Sequence, residues 1–314
     1  MFTRPFLLIF FALVMQGCAH KPAPQAPLPK APGCTKQIRS MPVFNQVVVQ
    51  GRMDVSLHTG YRKPQIILRG DPRDLAQLST AVKDNTLLVG LTPGYPKFGL
   101  VSIDIRGRYL NSFIYNGAGQ IRGPRLNTGL LDISITNTGQ TRLGGNINLR
   151  KLEVNGSGYT EIVGIKSQNL QVSLNGKPHV KLVGLVRLST LNLTGDGSLG
   201  LYWVKSDMLT IRSKGKTFIQ LAGVANKLDL ELWGTSQFNG RYLRVKRLFA
   251  KTHDKSIAEI TALDRQHTLA TDSSDIRFYE IPEMKADFMG FNGAVLDMRD
   301  WNNPVMEEYT RYNK

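Results

Sequence analysis

LEVNGSGYTEIVGI, residues 152–165, alternates apolar and polar positions, stops on glycine and serine, and resumes the alternation before another glycine. The phrase returns as LQVSLNGKPHVKLVGL from 170, LNLTGDGSLGLYWV from 191, LTIRSKGKTFIQLAG from 209 and LDLELWGTSQFNG from 228. Leu131, Leu152, Leu170, Leu191, Leu209 and Leu228 open equivalent phrases, and Leu248 and Leu269 continue the spacing. Two positions after the first six stand Ile133, Val154, Val172, Leu193, Ile211 and Leu230, and the residue between is always polar. Period two with one apolar face is a half-buried strand. Strands this short gain little alone, but a period near 20 lets the chain complete a circuit and lay each copy beside the last. The expected fold is an all-β, parallel β-solenoid of about 18–21 residues per coil. Gly139, Gly158, Gly197, Gly215 and Gly234 are expected at its corners. An up-and-down sandwich also gives short strands at regular spacing, but the identity of columns across six phrases favours the solenoid. From about residue 248 the pattern weakens, with Ala250 and Thr271 in apolar slots, as terminal repeats do.

Upstream, FNQVVVQG, MDVSLHTG and PQIILRGD read as three strands and TLLVGL as a fourth. Between them, DPRDLAQLSTAVKDN reads as a helix, with Asp71 as N-cap, Pro72 in the first turn, and Leu75, Leu78 and Val82 along one face. This β-rich segment with one short helix caps the first coil.

The first forty residues have another texture. Arg4 precedes an apolar run from Phe6 to Met15, too short to span a bilayer, and VMQGC follows. That ending is similar to a bacterial lipoprotein signal, which implies acylation (palmitate among the chains) of Cys18. Ala19 rather than aspartate after it points to the outer membrane, on its periplasmic or its outer face. Prolines 22, 24, 27, 29 and 32 make a polyproline-II spacer. The expected organisation is a signal peptide over 1–17, a linker over 18–40, the cap over 41–100, the solenoid over 101–300 and a tail over 301–314. With Cys34 the only other cysteine there is no disulfide framework, and Cys34 reads as an exposed thiol or an intermolecular disulfide partner.

The phrases VFNQVVVQGRMDVSLHTG and IILRGDPRDLAQLSTAVKDNTLLVGL, followed by L-x-V-x-G-x-G repeats, resemble the GIN-domain family of autotransporter adhesin head domains, over roughly residues 41–300. The resemblance implies a right-handed parallel β-helix on a secreted or lipid-anchored bacterial protein, without catalytic residues.

Chemistry is sparse in the sequence. Asp132, Glu153 and Asp229 are isolated carboxylates on a polar strand face, and histidines 20, 58, 179, 253 and 267 lack metal-ligand spacing. No nucleotide or serine-hydrolase fingerprint occurs, and GDGSLG at 195 leads into strand-like residues. No cofactor or metal is expected. A glycan-active β-helix enzyme would need two carboxylates converging across coils, and an end-to-end scaffold would need uncapped apolar ends. The net charge of +16 favours polyanions. Arg106, Arg108, Arg122, Arg125, Arg142, Arg150 and Lys151 form the candidate basic patch, either stacked into a ladder or scattered over a solvated surface. The expectation is a non-catalytic, adhesin-like envelope module, held to the membrane by its N-terminal lipid. Its expected partner is an anionic glycan, lipopolysaccharide or another envelope protein. An export signal argues against nucleic acid.

Overall fold

The computed structural model describes residues 33–299 apart from 93, 281 and 284. The signal peptide, Cys18, most of the linker and the tail lie outside the described residues. The linker does not run to residue 40, because Thr35–Ser40 forms strand β1, antiparallel to β4 (Gln65–Gly70). Cys34 is free and exposed.

The cap contributes rungs of the solenoid rather than sitting on it. Strand β2 (Gln46–Gln50) lies parallel between β6 (Thr86–Leu91) and β8 (Ser112–Gly117). Strand β3 (Asp54–His58) lies parallel between β7 (Ser102–Arg106) and the start of β9 (Ile121–Asn137). The buried Tyr115 hydroxyl ties β8 to the adjoining turns, donating to the Met53 carbonyl at 3.0 Å and accepting from the Gly119 amide at 2.7 Å. Burial pushes this phenol above its usual pKa.

The helix is shorter than its pattern suggests. α1 covers only Pro72–Leu75, capped as expected by Asp71, which accepts the Arg73 amide at 2.9 Å. Leu78–Lys83 is instead strand β5, antiparallel to β6. Leu78 and Val82 are four apart, so they share a face in a strand as well as in a helix. The deciding signal follows them. Asp84 and Asn85 take φ of 48° and 60°, the two-residue hairpin turn that joins antiparallel strands. Asp74, fully buried, seals the loop beyond by accepting the amides of Lys97 and Phe98 at 2.8 and 2.9 Å.

Eight strands of 15 to 18 residues follow, each a full circuit and each parallel to its neighbours: β9, β10 (Thr141–Gly156), β11 (Tyr159–Gly176), β12 (His179–Gly195), β13 (Ser198–Gly215), β14 (Phe218–Gly234), β15 (Gln237–Thr252) and β16 (Ile257–Thr271). β17 (Asp275–Phe278), β18 (Lys285–Phe291) and β19 (Ala294–Asp297) add the last rungs. The parallel β-solenoid is therefore the fold.

Its register corrects the sequence reading by two residues: the phrases opened on Leu131, Leu170, Leu209 and Leu228 stand two positions out of line with those on Leu152 and Leu191. Ile133, Leu152, Val172, Leu191, Ile211 and Leu230 pair in one continuous column. A slip of one would have turned every side chain to the wrong face, whereas a slip of two leaves the facing unchanged and only the stacking altered. The column runs backward through Phe113 to Val47 and Leu87. Forward it runs through Ala250 and Thr268 to Phe288. Leu269 does not continue it. That leucine is half-buried, as is Thr271, and Gln266, Thr268 and Ala270 occupy the interior instead.

The corners explain the glycines. Gly156, Gly176, Gly195, Gly215 and Gly234 all have positive φ and lie one above another. A Cβ at Gly195 would stand 2.3 Å from the carbonyl oxygen of Gly176, so no side chain fits. Of the expected corner glycines, Gly215 and Gly234 belong to this column. Gly139 and Gly158 serve a second close approach two residues further on, where an added Cβ would lie 2.3 Å from the neighbouring coil's backbone.

Candidate anion-binding face

Along each coil the alternation of buried and exposed residues breaks where two consecutive side chains point outward, which marks a convex corner. One such corner carries Asp207 and Met208 in β13, Asn226 and Lys227 in β14, Lys246 and Arg247 in β15, and Asp264 and Arg265 in β16. Parallel pairing is in register here. Met208 lies beside Lys227, Lys227 beside Arg247, Arg247 beside Arg265, and Arg265 beside Lys285. Four cations are thus stacked at the inter-strand spacing, about 4.8 Å per rung, over about 14 Å.

Stacking like charges costs free energy unless something neutralises them. Among the described residues, Lys227, Arg247 and Arg265 have no ion-pair partner, nor do Lys246 and Arg244 beside them. Lys285 is shared with Asp287 at 3.4 Å, which also meets His267 at 2.7 Å. The nearby acid Asp207 accepts the Asn226 amide at 2.9 Å. The corner is a linear array of exposed cations, of which Lys227, Arg247 and Arg265 are without ion-pair partners among the described residues.

The seven basic residues singled out from the sequence do not form one ladder. Arg122 and Arg142 are register neighbours, but Glu161 follows them in the column and pairs with Lys181 at 3.2 Å. Arg122 also donates to Gln120. Arg125 is exposed at a different corner. Arg106 holds Asp104 at 2.8 Å and lies 5.3 Å from the Tyr61 ring, and Arg108 lies over Tyr109 at 5.1 Å. Arg150 grips Asp132 with both nitrogens of its fork, and Lys151 meets Glu153 at 2.6 Å. The Arg150 hydrogen bonds hold the Asp132 carboxyl below its usual pKa.

Sequence reading missed the ladder although its signal was present: Lys227 and Arg247 immediately precede Leu228 and Leu248, and Arg265 precedes Gln266. Seeing it required the true register. The isolated carboxylates are likewise engaged, since Asp229 and Glu231 both contact Arg212, at 2.6 and 3.1 Å. A cavity of about 650 Å³ opens among Arg52, Asp54, Leu100, Gly119 and Gln140, and the Asp54 carboxylate in its lining accepts the Gln120 amide at 2.9 Å.

A family model described as "Putative auto-transporter adhesin, head GIN domain" matches residues 43–199 and again 148–282. Among solved structures, a "putative adhesin" from Parabacteroides distasonis is 14% identical, with 85% of this chain and 97% of that chain covered, at a TM-score of 0.46. A second, from Parabacteroides merdae, is also 14% identical, with 84% and 95% covered and a TM-score of 0.47. At these identities and scores the likeness carries no functional weight. No curated protein matches the chain.

Proposed function

The chain belongs to the GIN-domain family of auto-transporter adhesin heads, and on that premise we propose that it is a non-catalytic, adhesin-like binding module of the bacterial cell envelope that grips an anionic polymer along its basic corner. The observation that supports this reading is the ladder of Lys227, Arg247, Arg265 and Lys285, one cation per coil on successive rungs. A polyanion laid along the solenoid axis meets these charges in sequence, and weak contacts in series add to useful avidity. Acidic glycans and the phosphate-bearing part of lipopolysaccharide are the fitting chemistry, because Arg forks bind carboxylate and phosphate oxygens in pairs. Lipid attachment at Cys18 in the outer membrane, with residues 18–32 as a spacer, is the anchoring that accompanies this role.

The test is binding of acidic glycans, lipopolysaccharide and peptidoglycan across a salt series. Exposed charge pairs are screened over about 8 Å at physiological salt, so affinity is expected to fall steeply with salt. The triple variant Lys227→Ser, Arg247→Ser, Arg265→Ser is expected to lose at least tenfold in affinity and most of the salt dependence. Retained affinity in that variant, or no binding to any of the three, refutes the polymer reading.

A further inference from the structure

A second convex corner, a few residues before the basic corner in each coil, has a different character. Its bend requires positive φ: Gly145 at 132°, Gly164 at 80°, Gly184 at 153° and Gly223 at 137°. A Cβ at Gly164 would lie 1.9 Å from the Gly145 carbonyl oxygen. In β13 the corresponding bend is made by Trp203, with φ of 76°. A bulky side chain in this conformation is strained, and such strain persists where the side chain is needed for something other than the fold.

Trp203 is not packed into the core; it is 69% exposed. Tyr202 next to it continues an outward column from Val163 and Val183 on the two preceding coils. Leu185, 61% exposed, lies on the coil before Trp203, and exposed Val224 on the coil after it. Exposed apolar side chains on successive coils of one edge mark a contact surface.

Cations border this edge. Lys166, Arg187 and Lys205 surround Leu185 in a groove of about 180 Å³. None of the three has an ion-pair partner among the described residues. Arg244 lies in register with Val224. A dissolved polyanion has no use for an apolar ridge, whereas an anionic bilayer offers phosphates at its surface and an apolar layer just beneath. Trp and Tyr favour that boundary, and apolar area plus basic charge is the combination that holds proteins to it.

We propose that this edge docks the solenoid directly onto an anionic lipid bilayer, with Leu185, Trp203 and Val224 entering the headgroup–acyl boundary and Lys166, Arg187 and Lys205 meeting lipid phosphates. The contact is separate from any N-terminal lipid and lies at a different corner from the ladder.

The experiment uses Cys34–Lys314, whose described residues form one compact unit, so that no acyl chain or signal segment contributes. It is titrated with vesicles of phosphatidylcholine alone or mixed with phosphatidylglycerol, following tryptophan emission and co-sedimentation. The expected result is a blue shift and sedimentation with the anionic vesicles, and at least a tenfold loss of binding in Trp203→Gly and in Leu185→Ser. Glycine suits the φ at 203, so Trp203→Gly is expected to melt no lower than the parent and the loss cannot be charged to unfolding. Unchanged vesicle binding in both variants overturns the proposal, as does absence of binding to anionic vesicles. Vesicle binding lost only in the Lys227, Arg247, Arg265 triple variant also overturns it, and leaves the polymer reading standing. Polymer binding that survives Trp203→Gly confirms that the two corners act independently.

Discussion

The coils from β9 to β13 and those from β14 to β18 share one backbone plan and differ in how they handle charge and core. In the first group the columns are mostly aliphatic, and the corner cations Arg150 and Lys151 are neutralised by Asp132 and Glu153. In the second group Ala250, Thr252, Gln266 and Thr268 enter the interior, and the corner cations Lys227, Arg247 and Arg265 stack without ion-pair partners among the described residues. Paired charges on a regular surface are part of the architecture and ask for no ligand. A column of like charges over a thinner core sacrifices stability, which points to a use outside the fold.

The comparison breaks most sharply in the core. Leu191 is fully buried between Val172 and Ile211. Leu191→Ala is expected to cost about 2–5 kcal/mol in urea denaturation, more than Thr268→Ala in the same interior column. Equal losses at both ends would show that the two halves are equally well packed.

Gln266 gives the next largest effect, of opposite sign. It is fully buried and neither atom of its side-chain amide finds a hydrogen-bond partner. Gln266→Leu restores the aliphatic column beside Leu248 and is expected to stabilise by about 1–3 kcal/mol. Thermal melting would reveal this, and a destabilised variant would show that the amide is supporting the last coils.

Relieving the ladder should help more modestly. Arg247→Ser removes like-charge contacts with Lys227 and Arg265, so stability at low salt should rise by about 0.2–1 kcal/mol. The gain should shrink as salt is added. Arg150→Ser should do the reverse, because there a pair is broken.

The smallest effect is the acid response of that pair. Because the folded Asp132 carboxyl sits below its unfolded value, its stabilisation is present above the unfolded pKa of about 4 and disappears as pH falls through the folded value. The pair is largely solvated, so little stability is at stake. Asp132→Asn should be less stable than the parent at neutral pH and indistinguishable from it near about pH 2. A difference that persists in acid would mean that Asp132 acts through packing.

Much of this molecule was legible before its structure. Strand positions, the apolar face of each phrase and the cap at Asp71 depend on neighbours within a few residues, and local pattern reports those directly. Where sequence reading went astray, the cause was an ambiguity intrinsic to the pattern. Leu78 and Val82 satisfy helix and strand alike, and phrases opened on Leu131 and Leu170 obscured the stacking because a two-residue slip keeps the same face. The basic patch suffered from the same slip. Arg150 and Lys151 drew attention by density, while Lys227, Arg247 and Arg265, some 20 residues apart, drew none.

The chain by itself determined that it would coil: period two sets which side chains face inward, and glycines recurring near every twentieth residue set where the strand must turn. Only the tertiary structure decided which coil positions lie side by side. Register is a property of pairs of strands, fixed by close backbone approaches such as Gly195 over Gly176 and by the packing of one interior column on the next. That register turns distant single cations into a ladder and places a strained tryptophan among glycines, and neither exists until the coils are stacked.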